Sequence, residues 1–198
     1  MFSELWLNFL SAHKSLLNCL SVQLDGSQTP VKGAFEAVGY QRRKKAKTTN
    51  QLFLCDKNGI VISFGRAVAG NHHDVFEIKK AFEAMLEKLV LLGIRLDALI
   101  CNADDAFDCQ ELRVICRKYG IECNFRFNAK NGALSEREEY FDEQFFKDRF
   151  VIERSFDWMD AFKALLIRFE KKVDHWMSLI VIALLVINIK KFSLKNVR

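Results

Sequence analysis

One proline, Pro30, and nine glycines in 198 residues exclude a Pro/Gly-rich disordered linker, and neither a low-complexity tract nor an internal repeat interrupts the chain. No CxxC pair occurs among the six cysteines (Cys19, Cys55, Cys101, Cys109, Cys116 and Cys123), and no Cys/His array has zinc-finger spacing. A structural zinc module is thereby excluded, and a reduced, cytoplasmic protein is the simplest expectation. Cys109, Cys116 and Cys123 recur every seven residues, but two fall on a predicted helix and one on the next strand, so they read as small buried hydrophobes. The N-terminus has no basic start followed by an apolar core and a small-residue cleavage site, so nothing in it directs export. The apolar run from Trp176 to Ile189, WMSLIVIALLVINI, has 14 residues with Ser178 and Asn188 inside it, short of the roughly 20 that a membrane span needs. It predicts a buried helix of a globular core, with no membrane partner.

Half of the chain is apolar, enough for one domain with a sizeable core spanning 1–198. The formal charge of +5 is unevenly distributed: QRRKKAK, Gln41 to Lys47, carries five positive charges in seven residues with no acid. Arg42, Arg43, Lys44, Lys45 and Lys47 suit a polyanionic partner such as nucleic acid, or else form a solvated basic loop.

Periodicity orders the elements. Leu5, Phe9, Ala12 and Leu16 mark an amphipathic helix over about residues 1–18. Leu20, Val22 and Leu24 then alternate with Ser21, Gln23 and Asp25, the pattern of a strand that turns Asp25 away from the apolar set. From Gly26 to Asn50 the polar, basic segment reads as a long ordered loop. LFLCD and IVISF follow, joined through Lys57, Asn58 and Gly59, a strong hairpin signal. A helix capped by Asn71 or Asp74 carries Val75, Ile78, Phe82, Met85, Leu89 and Leu92 on one stripe and stops at Gly93. The nearly continuous apolar run LDALICNAD suits a strand covered on both faces. CQELRVICRKYG, with Asp108 as its best cap, is a helix leading into a fifth strand, IECNFRF.

After a polar connection around Asn131, Gly132 and Ser135, one long helical region is expected from about Arg137 to Lys171, its stripe made by Ile152, Phe156, Met159, Phe162, Leu166 and Phe169. Arg149 and Glu153, four apart, share its margin. The expected architecture is α/β, a mixed five-stranded sheet flanked by helices, with a core over 20–171 and a packing helix over 173–192.

Asp25 and Asp104 each close an apolar strand, and Glu153 lies on a helix. Three carboxylates that converge from separate elements repel one another unless a hard cation sits among them, which points to Mg²⁺ or Mn²⁺ and to chemistry at phosphate. On spacing alone Asp105 competes with Asp104 for this role. Arg149 is placed either to contact phosphate or to pair with Glu153. Adjacent His72 and His73 point in different directions, so with Asp74 they suit the start of a helix, open to DNA contact, better than a zinc site. Trp158 and Trp176 fit packing better than base stacking.

The motifs DGSQTP at Asp25, GYQRRKKAKTTN from Gly39, GNHHD at Gly70, NADDAFD around Asp104 and FKDRFVIERSFDWM, taken in this order, resemble the DDE-type transposases of bacterial insertion sequences over about residues 5–190. The resemblance implies a ribonuclease H-like catalytic core and a catalytic, metal-binding triad of Asp25, Asp104 and Glu153, favouring Asp104 over Asp105. It matches Arg149 to the arginine of a tyrosine, arginine, glutamate, lysine signature, with Phe146 in place of the tyrosine and Asp160 in place of the lysine. Ala106 replaces a glycine often found after the second aspartate. The implied activity is strand cleavage and strand transfer at element ends with two Mg²⁺ or Mn²⁺ ions, on DNA, by a homo-oligomer. In such a site one ion activates the attacking oxygen and the other stabilises the leaving 3′ oxygen; Asp25 is the expected bridge between them.

The chain opens almost directly on the helix before the first catalytic strand, so the N-terminal DNA-recognition region usual in such enzymes is expected to be absent. A transposition-inactive remnant that binds DNA non-specifically is therefore the competing expectation, with a stand-alone metal-dependent nuclease as a third.

Overall fold

The computed structural model describes residues 2–131 and 141–195. Seven strands form one mixed sheet: β1 (Ser21–Pro30), β2 (Gly39–Gln41), β3 (Ala46–Asp56), β4 (Val61–Phe64), β5 (Val68–Ala69), β6 (Ile100–Ala103) and β7 (Glu122–Phe125). The order across it is β2-β3-β1-β6-β7, with β4 and β5 also paired to β3. Five of these are the expected strands. Their helices are α1 (Phe2–Ala12), α2 (Ile78–Leu91), α3 (Gln110–Tyr119), α4 (Glu143–Lys147), α5 (Phe150–Asp160), α6 (Lys163–Leu166) and α7 (Val173–Lys195).

The segment expected to be a loop is largely strand. β1 and β3 pair antiparallel from Val22↔Asp56 to Pro30↔Thr48, and β2 and β5 add short strands along β3. Hydrophobic alternation could not reveal this half of the hairpin, because Thr48, Thr49, Asn50 and Gln51 are buried polar residues. Their partners are internal: Thr49 Oγ1 donates to the Ala37 carbonyl at 2.8 Å and Gln51 Nε2 to the Gly65 carbonyl at 2.9 Å. Arg168, fully buried, donates from Nη1 to Thr49 Oγ1 at 2.8 Å, and its backbone N–H donates to the Pro30 carbonyl.

The β3–β4 hairpin forms where Asn58 and Gly59 signal it. Gly59 takes the left-handed φ of +76°, and buried Asp56 accepts from the backbone N–H groups of Asn18, Asn58 and Ile60. Gly93 and Gly120 end their helices with φ of +66° and +69°.

Other helical boundaries differ from the expectation. α2 starts at Ile78 after Glu77 in a left-handed conformation, so neither Asn71 nor Asp74 caps it. Asp108 does not cap α3: its buried carboxylate pairs with Arg113 at 2.8 Å and accepts from the Asn128 N–H. The single long helix is instead α4, α5 and α6. Asp142 caps α4 by accepting from the Gln144 and Phe145 N–H groups, and Phe162 and Ile167 are extended. The stripe consequently fails at its end, where Leu166 and Phe169 are exposed. Gly132, Ser135 and Arg137 lie outside the described residues.

α7 is longer than its apolar run. With a mean hydropathy of 1.7 within Val173–Ser193, it is long and apolar enough by length and composition to cross a membrane. In the fold it packs on α1 and α5 and buries Trp176, Ile180, Val181 and Leu184.

Three parallel strands are cross-linked by a buried amide ladder. Gln23, Asn102 and Asn124 occupy matched positions on β1, β6 and β7. Asn102 Nδ2 donates to Gln23 Oε1 at 2.8 Å, and Asn124 Nδ2 to Asn102 Oδ1 at 2.7 Å. Asn124 also exchanges hydrogen bonds with the backbone of Asp142, donating to its carbonyl and accepting from its N–H. A one-residue slip would send these amides to the apolar face of the sheet, so the ladder fixes register. Replacing Asn102 by Leu removes one buried hydrogen bond from each of Gln23 and Asn124 and is expected to cost about 2–5 kcal/mol; urea unfolding measures this, and a loss under about 1 kcal/mol would contradict it.

Candidate active site

The ladder sets two aspartates side by side. β1 pairs parallel with β6 through Gln23↔Asn102, so Asp25, inside β1, and Asp104, just past the end of β6, each two residues further on, lie on the same face. Asp25 Oδ1 accepts from the Gly26 N–H at 2.8 Å. Asp104 Oδ1 accepts from the Ala106 N–H at 3.0 Å and so caps a single 3₁₀ turn, Asp105–Phe107. Asp105 itself is exposed, whereas Asp104 is half-buried, and the Asp104 carboxylate acts on Asp25. This geometry separates two residues that spacing left equivalent.

Glu153 arrives from α5. Ser155 Oγ donates to the Gly59 carbonyl at 2.8 Å, and Lys57 pairs with Asp148 at 3.0 Å. Both contacts fasten the start of α5 to the β3–β4 turn. Arg149, at the helix start, then reaches both acids: its Nη1 lies 3.4 Å from Asp25 Oδ2 and its Nη2 lies 3.3 Å from Glu153 Oε1. The intrahelical pair of Arg149 and Glu153 is therefore present, and the bridge to Asp25 adds a contact across 124 residues.

Burial pushes the Asp25 carboxyl up to about 6. The Asp104 and Asp74 carboxylates push the same way, while the Gly26 N–H and Arg149 oppose them. Asp104 is also raised, chiefly by burial. Such a site holds more negative charge than its surroundings stabilise, and a nearby cation relieves it. The donor set of carboxylate oxygens fits a hard divalent ion. Among the described residues no three acidic, histidine or cysteine side chains are already gathered to hold one ion; the guanidinium of Arg149 supplies positive charge between Asp25 and Glu153.

Neighbouring positions explain the departures from the expected signature. Phe146, in the tyrosine position, offers no hydroxyl; its ring lies under the Arg149 guanidinium at 5.6 Å and packs on Phe141 at 5.2 Å. Asp160, in the lysine position, is raised by burial and by Asp157, and Lys44 opposes that shift. An acid here thus faces the basic turn.

That turn is the tip of the β2–β3 hairpin. Arg42, Arg43, Lys44, Lys45 and Lys47 are all exposed, and Lys45 adopts a left-handed φ of +49°. Lys44 Nζ donates to the Gln28 carbonyl at 2.7 Å. Gln28 is three residues along β1 from Asp25, about 10 Å at strand rise, so the basic tip touches the strand that carries Asp25.

Sequence patterns missed Asp74 as a neighbour of this site. Asn50 Nδ2 donates to Asp74 Oδ1 at 2.8 Å, and that oxygen lies against Gly26. The GNHHD motif was its only signal, and it suggested a helix cap. His72 stacks on Phe76 at 3.6 Å. Trp176 is buried, and Trp158 packs under Arg154 and Lys191.

A solved transposase structure shares the fold. A piggyBac transposase synaptic complex with hairpin DNA superposes with a TM-score of 0.52 at 9% identity, over 84% of this chain and 45% of that one. A Mos1 mariner paired-end complex with Mn gives 0.40 at 13% identity, over 81% and 59%, and the Mos1 strand transfer complex gives 0.41 at 13%, over 83% and 61%. The chain thus spans about half the length of these proteins. No curated protein sequence matches it. The family model of the DDE superfamily endonucleases matches residues 17–188, and with that match over most of its length the chain belongs to the DDE superfamily endonuclease family.

Proposed function

We propose that the chain is the catalytic domain of an insertion-sequence transposase with a ribonuclease H-like core, acting in the cytoplasm on DNA as a homo-oligomer. The observation that carries this reading is the bridge that Arg149 makes between Asp25 and Glu153, with Asp104 acting on Asp25 from the neighbouring strand and the exposed basic hairpin tip reaching β1 at Gln28 through Lys44. Asp25, Asp104 and Glu153 would hold two Mg²⁺ or Mn²⁺ ions, which when bound activate the attacking oxygen and stabilise the leaving 3′ oxygen of an in-line displacement.

The protein's own residues do the rest. Asp25 must be ionised to serve, and in the metal-free protein burial holds its carboxyl up at about 6. Arg149 keeps Asp25 and Glu153 close while both are charged, and it offers a guanidinium to a scissile-region phosphate. The basic tip positions the DNA backbone without reading its sequence. Water as nucleophile nicks a strand, and a DNA 3′-OH as nucleophile joins strands, with no covalent protein intermediate.

Asp25→Asn, Asp104→Asn and Glu153→Gln are each expected to reduce Mn²⁺-dependent plasmid nicking and joining by about 10³-fold or more, with folding retained. Full activity in any of the three would remove that residue from the site. Nicking without joining, lost in the same variants, would instead favour the stand-alone nuclease.

The same Asp25→Asn change is expected to stabilise the metal-free protein at pH 7. The folded pKa of Asp25, about 6, exceeds the ordinary value near 4. The folded state therefore binds the extra proton between those values, and ionising Asp25 above pH 6 costs stability. The expected gain is about 1–3 kcal/mol at pH 7, shrinking to nothing below about pH 4. Urea unfolding in a chelator at both pH values tests it; destabilisation at pH 7 would contradict it.

Replacing Arg42, Arg43, Lys45 and Lys47 together by Gln should flatten the slope of log affinity against log salt by about 3.6, at roughly 0.9 per phosphate contact. An unchanged slope in filter-binding titrations would place the DNA elsewhere.

A further inference from the structure

We propose that Asp74 is a fourth carboxylate of this site, held by Asn50 against Gly26, and that it contributes to binding the divalent cations. The inference rests on the metal-dependent reading of Asp25, Asp104 and Glu153 and extends it to a residue from the loop before α2.

Three observations carry it. First, Asp74 is fixed in place: Asn50 Nδ2 donates to its Oδ1 at 2.8 Å, and no hydrogen bond among the described residues engages its Oδ2. Second, Gly26, the residue after Asp25, makes room for it. A Cβ on Gly26 would meet Asp74 Oδ1 at 2.4 Å and its Cγ at 2.9 Å, so a side chain there would displace the carboxylate. Gly26 lies within β1 and does not adopt a left-handed φ. Its small size therefore serves the approach of Asp74 and not a turn. Third, Asn50 is 2% exposed, and its Oδ1 has no partner. That oxygen lies 3.5 Å from the same Cβ position, so an unsatisfied buried acceptor points into the gap that Asp74 occupies. A buried acceptor without a donor is costly, and a hydrated cation supplies donors.

The placement has an electrostatic consequence. The Asp74 charge is felt by both Asp25 and Asp104, raising each beyond the larger effect of burial. A carboxylate with only a scaffolding role would do better as a neutral amide here, because that would spare the repulsion. Positive charge entering the site would offset that repulsion.

Mn²⁺ binding to the full chain, followed by electron paramagnetic resonance of the free ion, tests the proposal without relying on activity. Asp74→Asn is expected to weaken Mn²⁺ affinity tenfold or more while the metal-free protein melts no lower than wild type. Gly26→Ala, which keeps every acid but forces Asp74 aside, should weaken it in the same direction. Unchanged affinity in both folded variants would overturn the role of Asp74. Asp25→Asn separates the two levels of the argument. If it loses Mn²⁺ while Asp74→Asn does not, only this inference fails; if it binds as wild type does, the metal site itself fails and Asp74 with it.

Discussion

The site depends on the amide ladder of Gln23, Asn102 and Asn124. In a parallel sheet the hydrogen-bond pattern repeats evenly, so backbone pairing alone tolerates slippage along β6 and β7. Buried amides that bond across the strands at 2.7–2.8 Å remove that freedom, because any other register breaks these cross-strand bonds. Asp25 and Asp104 lie two residues beyond the ladder, and its far end clasps the backbone of Asp142. That residue caps α4 and begins the segment that delivers Arg149 and Glu153. One polar seam thus sets the relative positions of residues that are more than a hundred apart in sequence.

Above this seam the chain gathers charge that does not stabilise it. Asp25 and Asp104 are raised by burial and by other acids, and Arg149 offsets part of the repulsion. The apolar core supplies the stability that this arrangement costs: Leu24, Leu54, Ile62, Phe82 and Phe107 are fully buried. A run of exposed positive charge forms the β2–β3 tip, which contacts β1 at Gln28 through Lys44. An acidic centre flanked by a basic hairpin is the charge pattern suited to holding a polyanion while reacting at one of its phosphates.

Where apolar residues alternate or recur at helical spacing, the fold was legible. Val22 and Leu24 gave the first half of β1, Asn58 and Gly59 gave the hairpin, and Gly93 and Gly120 gave two helix ends. The distal half of the β1–β3 hairpin was not, because Thr48 to Gln51 are buried polar residues that leave no hydrophobic period. The break between α5 and α6 was hidden by the unbroken spacing of Ile152, Phe156, Met159 and Phe162. In the site, pattern and resemblance together named Asp25, Asp104, Glu153 and Arg149. Asp74 escaped because its neighbours are Gly26 and Asn50, one without a side chain and the other on a strand that sequence had left as loop.

Diffraction from crystals grown with Mn²⁺, recorded at an energy where manganese scatters anomalously, tests the central claim most directly. The account predicts anomalous peaks bound by oxygens of Asp25, Asp104 and Glu153. Manganese confined to other residues, with Arg149 still bridging Asp25 and Glu153 at saturating ion, would contradict it.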